Sequence, residues 1–460
     1  MESEIMDSTI MDSEIMESDL NWLHLPDSIW ELIMIYLNFE DLLNASVICK
    51  NFNDFISMSP FLMKKICFTI GKSEWFRYSF NNVPTNLCLE SFCKLKLMND
   101  CLQKSKRKYH SIKIFSLDDR SDEKYVINLI FDILKKLAGS VKQITFFKAA
   151  LQDDFFINII QIMKNLKVVK FEGQVFHPTE AITEIVRLAG RKRKHLKVLC
   201  LKNVHGNSLF RTDKIANNIK MSLDELHLHA VAWNDNEIAM KFFKTQTNLK
   251  KVTLHFENPE SNIFNAERYE QILIHLFGNN LQLKTVILTT KGRFIDNFKD
   301  MSFLEGTVNP TVENLTLNLD PSHNAPKLIS TFIKLFPNVK NFNYGVLKFE
   351  VIHGLDQLHN WSSLESINCK LVDINQLFRN TNFGEKLTTC IINCTFYFHH
   401  HRQQVIEFLT RHQNIKHMSL NLHCKKIFSD EICFLFINTL KSLESFKFEG
   451  NYLCLSNYLE

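Results

Sequence analysis

One short pattern recurs along most of this chain, and its period limits the folds that the chain can adopt. In each copy a polar residue precedes an apolar residue, and two further apolar residues follow three and five positions later. The copies are SVKQITF (140), NLKVVKF (165), HLKVLCL (195), SLDELHL (222), NLKKVTL (248), QLKTVIL (282), TVENLTL (311), NVKNFNY (338), SLESINC (363), KLTTCII (386), NIKHMSL (414) and SLESFKF (442). Side chains alternate between the faces of a strand, so this spacing predicts one buried strand per copy.

The chemistry of these copies separates them from chance matches in a chain that is 45% hydrophobic. The residue after the first apolar position is charged in eleven of the twelve copies, although only 23% of the chain is charged. The first apolar positions run from Val141 to Leu443, so the eleven intervals average about 27 residues. That period lies within the range of roughly 20–29 residues that is typical of leucine-rich repeats.

The segments between the strands have apolar residues three and four positions apart, which predicts helices. The clearest are DDFFINIIQIMKNL, TEAITEIVRLAG, ERYEQILIHLFGNN, APKLISTFIKLF and RQQVIEFLTRH. One strand and one helix per unit predict an α/β solenoid that is curved, with parallel strands on the concave face and helices on the convex face. We expect about 12 to 13 repeats over residues 105–460, with YHSIKIF (109) as the earliest, after a junction at 61–104 that shows no regular pattern.

Residues 22–60 predict a compact unit of three short helices. Pro26 stands at a helix start, where its missing N–H costs nothing. Four large apolar residues follow it at helical spacing: Ile29, Trp30, Ile33 and Leu37. Asn38 is expected to end this helix, Asp41 to cap a second one, and residues 50–56 to form a third. Such a small unit cannot bury all its apolar side chains internally, which indicates an interface with the rest of the chain or with another protein.

The same segment resembles the F-box motif. The matching residues, in the order and spacing of the family, are Leu25, Pro26, Ile29, Trp30, Ile33, Tyr36, Leu37, Asp41, Leu42, Leu43, Val47, Cys49, Lys50 and Phe52. With the repeats that follow, the chain resembles an F-box/leucine-rich-repeat protein. It departs from that pattern at Met34, where the family often has Phe or Leu. It also lacks, in all repeats but the one ending at Asn451, the Asn or Cys expected eight positions after the first apolar residue.

The resemblance implies a non-catalytic substrate receptor of an SCF-type cullin–RING ubiquitin ligase, which binds a protein substrate and docks on a Skp-family adaptor through its F-box. The residues that the resemblance assigns to the adaptor contact are Leu25, Pro26, Ile29, Trp30, Ile33, Leu37, Leu42, Leu43, Val47 and Phe52. Two alternatives stay open: the helices only cap the solenoid, or the chain is a leucine-rich-repeat interaction scaffold with no ligase role.

The solvent-facing side of the predicted sheet is the candidate substrate surface. Alternation places the second, fourth and sixth residues after each first apolar position on that side. The side is polar and mostly uncharged, with His and Lys concentrated between about residues 170 and 255. The substrate-binding residues that we predict there are Lys202, His227, His229, Lys251 and His255. Neutral histidines would make binding respond to pH between about 6 and 7. The alternative is a sheet face that is merely solvated.

The sequence does not predict an enzyme. It has no phosphate-binding Gly-rich loop, no G-x-S-x-G and no H-E-x-x-H, so we expect no catalytic residue and no cofactor. The histidines of YFHHHRQQ, with His412, His417, His423 and Cys424 downstream, fit a solvated loop better than a zinc site, and no metal is expected. A nucleic-acid groove would be more uniformly basic than the predicted sheet face. No stretch approaches the length of a membrane span.

Charge is uneven along the chain. Residues 1–20 carry seven acids and no base in a five-residue period, which predicts a short, disordered acidic arm. The basic clusters KSKRK (104–108) and RKRKH (191–195) are interpreted as structural charge, with nuclear import or nucleic-acid contact as alternatives. Scattered cysteines and the lack of a recognisable signal peptide predict a reduced protein of the cytoplasm or nucleus.

Overall fold

A computed structural model provides the structure of the chain. It describes residues 25–70, 85–105, 107–115, 124–147, 158–159, 161–172, 196–202, 223–229, 236–257, 266–291, 301–319, 325–346, 355–370, 385–395, 402–423 and 429–450. The acidic arm at 1–20 and the cluster RKRKH lie outside these residues. The chain divides into a helical unit, Met1–Cys67 with Lys106–Tyr109, and a sheet unit, Phe68–Ser105 with His110–Glu460.

The helical unit contains the three predicted helices and a short fourth one. They are α1 (Asp27–Met34), α2 (Phe39–Ile48), α3 (Lys50–Met58) and α4 (Leu62–Lys65). One predicted cap is wrong: the side chain of Asn38, and not that of Asp41, caps α2 by accepting the backbone N–H of Asp41 at 2.9 Å. Asn38 precedes the helix and its side-chain oxygen reaches the third helical N–H, which is the geometry of an N-cap.

The core of the helical unit is small and sits between its helices. Met34, Leu42, Ile56 and Leu62 are each at most 2% exposed. Polar contacts fix the periphery: the Ser59 hydroxyl donates to Glu31, and Arg107 Nε donates to Ser57 Oγ at 2.7 Å. Arg107 belongs to the cluster KSKRK, and its contact with Ser57 supports the interpretation of structural charge at that residue.

The described part of the sheet unit is built on fourteen parallel strands in sequence order. They are β1 (Cys67–Ile70), β2 (Ser111–Phe115), β3 (Gln143–Phe147), β4 (Val168–Glu172), β5 (Val198–Lys202), β6 (Glu225–His229), β7 (Lys251–Glu257), β8 (Thr285–Lys291), β9 (Asn314–Leu319), β10 (Asn341–Val346), β11 (Ser366–Lys370), β12 (Thr389–Thr395), β13 (His417–His423) and β14 (Ser445–Gly450). Each strand pairs with its neighbours in sequence, so β1 and β14 are the two ends of a sheet that does not close on itself.

Helices connect many of these strands. They are α5 (Thr85–Lys104), α6 (Lys124–Leu137), α7 (Asn236–Thr245), α8 (Ala266–Gly278), α9 (Ala325–Leu335), α10 (Arg402–Arg411) and α11 (Ser429–Thr439), with 3-10 turns at Ser302–Leu304 and Leu355–Asn360. The helices predicted from ERYEQILIHLFGNN, APKLISTFIKLF and RQQVIEFLTRH are confirmed as α8, α9 and α10. The segment TEAITEIVRLAG and six of the fourteen residues of DDFFINIIQIMKNL lie outside the described residues.

The repeating apolar pattern forms the core of the sheet unit. In the first eleven of the twelve copies, all three apolar residues are at most 8% exposed. In the twelfth copy, which forms the last strand of the sheet, Leu443 and Phe446 are half-buried. Equivalent positions of successive copies pair with each other across neighbouring strands, so equivalent side chains lie side by side. The α/β class and the parallel sheet are therefore confirmed.

The sheet begins earlier in the chain than predicted. YHSIKIF forms β2, as expected, but β1 and α5 lie in the segment 61–104 that the pattern left as an irregular junction. The repeat that contains β1 was missed because Lys65 stands where the other copies have their first apolar residue. Phe68 and Ile70 occupy the other two apolar positions of this repeat and are buried. Among the described helices, none combines the length and apolar character that a membrane crossing requires.

Candidate protein-interaction surfaces

Helix α1 exposes an apolar stripe. Ile29, Leu32 and Ile33 lie three and four positions apart on α1, and Tyr36 follows in the turn after its last residue, Met34. Each of the four is at least 40% exposed, reaching 89% at Tyr36. Met34 is the buried residue of this helix. Because residues at this spacing share one side of a helix, Ile29, Leu32 and Ile33 form one apolar surface, and Tyr36 adds an exposed ring just after the helix end. Exposed apolar surfaces of this kind typically mark interaction sites.

Further apolar side chains are exposed on the remaining helices of this unit. Val47 and Ile48 at the end of α2 are 82% and 71% exposed, and Met58 at the end of α3 is 76% exposed. A groove of about 630 Å³ is lined by residues of α1 and α3. In its wall, the rings of Trp30 and Phe52 pack edge to face with their centroids 4.7 Å apart. Its volume lies within the range of roughly 300–1,000 Å³ that is typical of binding pockets.

The predicted adaptor-binding residues divide into three groups. Pro26, Ile29, Ile33 and Val47 are exposed, whereas Leu25, Trp30, Leu37 and Phe52 are half-buried. Leu42 is fully buried within the unit, so in this conformation it has no surface to offer a partner. The side chain of Leu43 lies outside those that the structure describes. Sequence reasoning missed Leu32, Ile48 and Met58 as surface residues, although Leu32 lies three positions after Ile29 and extends the same stripe.

The second surface is the side of the sheet opposite its buried apolar residues, which we call the open face. The register of the strands places Lys202, His229 and His255 next to one another on β5, β6 and β7. The rings of His229 and His255 are 5.3 Å apart. Lys251 pairs in register with Glu225, and His227 with Thr253. The structure therefore brings the five predicted substrate-binding residues together on three adjacent strands.

His227 is held by contacts within the protein. Its Nδ1 lies 2.9 Å from Thr253 Oγ1, and its Nε2 lies 3.2 Å from Glu225 Oε2, which also pairs with Lys251 at 3.7 Å. Burial lowers the pKa of His227 below its usual value, although the hydrogen bond to Glu225 opposes this. The expected pH response between 6 and 7 is therefore shifted to lower pH at this residue.

The later strands of the open face carry amides and hydroxyls. Asn341 Nδ2 donates to Asn314 Oδ1 at 2.7 Å, and Asn343 Nδ2 donates to Thr316 Oγ1 at 3.2 Å. Gly345 lies beside Asn318, and a Cβ atom there would come within 2.6 Å of Asn318 Oδ1. These strands form a hydrogen-bonded polar floor, which is chemically distinct from the His and Lys residues of β4–β7.

Two of the histidines considered for a metal site have other partners. His412 is buried, and its Nδ1 donates to the carbonyl of Phe408 at 2.8 Å. His417 Nδ1 lies 2.9 Å from Ser445 Oγ. Within the described ranges, no three His, Cys, Asp or Glu side chains form a group that could hold a metal ion. His399, His400, His401 and Cys424 lie outside those ranges.

Comparison with known proteins identifies the helical unit. No curated protein matches the chain. The family model of the F-box domain matches residues 22–64, which include α1 to α3, all but the last residue of α4 and the exposed apolar stripe. F-box domains bind Skp-family adaptors in cullin–RING ligases. The chain therefore carries an F-box domain at residues 22–64.

Proposed function

We propose that this protein is a substrate-recognition subunit of an SCF-type ubiquitin ligase, with its F-box docked on a Skp-family adaptor. The observation that carries the proposal is the exposed stripe of α1, which lies inside the segment that matches the F-box family. Each large apolar side chain left in water forgoes roughly 1.5–3 kcal/mol of burial free energy. A partner that covers the stripe recovers that free energy, and the adaptor is the partner that F-box domains bind.

We further propose that the sheet unit is a leucine-rich-repeat solenoid that binds the substrate. The buried residues at the first, fourth and sixth positions of each repeat, the period of about 27 residues and the parallel strands support this assignment. Such a receptor performs no bond chemistry itself. It raises the effective concentration of a substrate lysine near a ubiquitin-charged conjugating enzyme. The protein is accordingly assigned no catalytic residue and no cofactor.

Adaptor binding is tested by changing the α1 stripe. Replacing Leu32 and Tyr36 with Ser removes two exposed apolar side chains, so the unit should fold while its affinity for the adaptor falls about a hundredfold or more. The double substitution Leu25→Ala with Pro26→Ala should have the same effect. The measurement is co-purification of Skp-family adaptor and cullin with the full chain.

A matched control replaces two exposed apolar residues of the sheet unit, Ile274 and Leu281, with Ser. Adaptor recovery should be unchanged in that control. Equal recovery from the α1 variant and the control would contradict the proposed docking surface. Recovery of adaptor without cullin would instead favour the scaffold with no ligase role.

Substrate binding is tested on the row that contains Lys202, His229 and His255. Replacing His229 and His255 with Ala should reduce substrate ubiquitination while adaptor recovery stays normal, because the changes lie on the open face of the sheet unit. The control is Thr289→Ala, at the next position of the same row on β8. Normal ubiquitination by the histidine variant, with a loss in the control, would move the substrate site to the later strands.

A further inference from the structure

One residue per repeat lies just before each strand, where the strands begin, and we call this series the edge row. Its backbone carbonyl accepts two N–H groups from the next repeat, as when Lys167 and Val168 donate to Lys142 at 2.7 and 3.0 Å. The row runs through His110, Lys142, Lys167, Lys197, Asp224, Lys250, Lys284, Glu313, Lys340, Glu365, Thr388, Lys416 and Glu444. Neighbours in the row are therefore about one strand spacing apart, roughly 4.8 Å.

Over its later part, the edge row combines both signs of charge. Asp224 pairs with Lys197 and Lys250 at 3.1 and 3.6 Å. In the same way Glu313 pairs with Lys284 and Lys340 at 2.8 and 3.6 Å. Lys416 pairs with Glu444 at 2.7 Å. Acidic neighbours thus balance the lysines of this part of the row.

The strands β3, β4 and β5 differ from this arrangement. Among the described residues, Lys142 and Lys167 of the edge row have no carboxylate within 4.0 Å. The same holds for Lys170 on the open face of β4 and Lys202 at the end of β5. We call these four residues the lysine track. Lys142, Lys167 and Lys202 are exposed and Lys170 is half-buried, so their positive charges face solvent.

The track crosses the sheet obliquely. Lys142 precedes Lys167 by one strand, Lys170 is three residues further along β4, and Lys202 lies on the next strand. At about 3.3 Å per residue, the track advances roughly 17 Å along the strands. Cys200 lies beside Lys170 in register and adds no negative charge at neutral pH, because burial raises the pKa of its thiol to about 11.

We propose that the lysine track binds an acidic segment of a partner protein. The proposal rests on the proposed function, since the segment would belong to the substrate and would define its class. An extended chain of about five residues covers roughly 17 Å, so a run of Asp and Glu matches the track in length and in charge. The carboxylates would pair with lysines that, among the described residues, have no carboxylate within 4.0 Å, although Glu172 lies in register beside Lys202. This gives the track a preference that the balanced edge row lacks.

The surroundings favour a peptide over a nucleic acid. Glu172 lies in register beside Lys202, and Glu225 lies on the open face of β6, so the positive surface is short and interrupted. A nucleic-acid groove would be longer and more uniformly basic. Single-stranded nucleic acids also need aromatic rings on which bases can stack. On β2 and β3, the rings of Phe115 and Phe147 are both covered by the amino group of Lys113, which lies 4.8 Å from each ring centroid.

The test measures binding of a fluorescein-labelled peptide of eight glutamates to the full chain by fluorescence anisotropy. The variant is Lys167→Gln, Lys170→Gln and Lys202→Gln, and affinity should fall about tenfold or more, as expected when three surface ion pairs are lost. The matched control is Lys284→Gln, Lys340→Gln and Lys416→Gln, which removes the same charge from the same sheet. Its affinity should stay within about twofold of the parent chain.

Three results would overturn the proposal. Equal loss in the two variants would show attraction by net charge alone. Tighter binding of a single-stranded RNA of eight nucleotides would assign the track to nucleic acid. Peptide binding only after removal of residues 1–20 would mean that the chain's own acidic segment occupies the track. Adaptor recovery, measured on the same preparations, reports on the ligase assignment separately, so failure of one proposal is distinguishable from failure of the other.

Discussion

At the scale of single residues, the clearest determinant of the sheet unit is a buried asparagine between repeats. Asn309 is fully buried, and its Nδ2 donates to the carbonyls of Phe277 and Asn280 at 2.7 and 3.0 Å. Its Oδ1 accepts the N–H of Thr311 at 3.1 Å and the hydroxyl of Thr311 at 2.6 Å. Both ends of the amide are therefore satisfied, as buried polar groups require.

Asn309→Asp should strongly destabilise the sheet unit, although the side chains of Asn and Asp have nearly the same shape. The substitution removes both donors and places a carboxylate against two carbonyl oxygens, which costs on the order of 3 kcal/mol. Burial should raise the pKa of this carboxyl group in the folded state, so the penalty should be small at pH 4 and grow as the pH rises. Thermal unfolding between pH 4 and 8 checks this. A melting temperature equal to that of the parent chain at pH 7.5 would contradict it.

At the scale of secondary structure, the N-cap of α2 shows how one side chain sets the boundary of a helix. Asn38→Ala should weaken that end by about 1 kcal/mol, because the N–H of Asp41 loses its partner. Hydrogen exchange of the α2 amides should accelerate roughly fivefold. The control is Asn51→Ala, an exposed position inside α3. Unchanged exchange in Asn38→Ala would show that packing alone holds the start of α2.

The elements differ in how far the sequence predicts them. The helix α9 follows from APKLISTFIKLF, because its apolar residues keep one helical spacing and Leu328, Phe332 and Leu335 are buried as that spacing predicts. The strand β1 was missed because Lys65 breaks the apolar pattern. Spacing identifies a buried position only where each repeat has an apolar residue at that position. The first repeat of the sheet has Lys65 there instead.

The candidate surfaces were predicted less completely, for a physical reason. Nearly every turn of α1 and α2 carries apolar residues on more than one side. Their spacing therefore does not distinguish the residues that face the small core from those that face a partner. Leu42 is inside and Leu32 is outside, yet both are leucines in short helices. The lysine track depends on which charges lie side by side across strands, and only the register of the sheet supplies that.

At the scale of the whole molecule, three histidines link the stability of the sheet unit to pH. Burial is the main cause that lowers the pKa of His227, His275 and His412 below the usual 6.5. The unfolded chain would bind protons at these residues at a pH where the folded chain does not. Their contribution to stability is therefore complete above about pH 6.5 and is lost as the pH falls through the lowered pKa values.

The melting temperature should accordingly fall by several degrees between pH 7.5 and pH 5.5. His412→Asn should flatten this dependence, because its amide can still donate to the carbonyl of Phe408 but does not titrate in that range. The control His359→Asn changes a histidine of the 3-10 turn Leu355–Asn360. A pH dependence of His412→Asn as steep as that of the parent chain would show that other groups cause the loss.

The doubled hydrogen bonds of the edge row also constrain how such a chain can change over generations. Each repeat takes its alignment from a single carbonyl of the repeat before it, so a gain or loss of one residue next to that carbonyl disturbs every contact of the following strand. Removal or duplication of a complete repeat keeps the same joint between the repeats that remain. The length of this protein is therefore free to vary in whole repeats, and each such step lengthens or shortens its binding face by one strand.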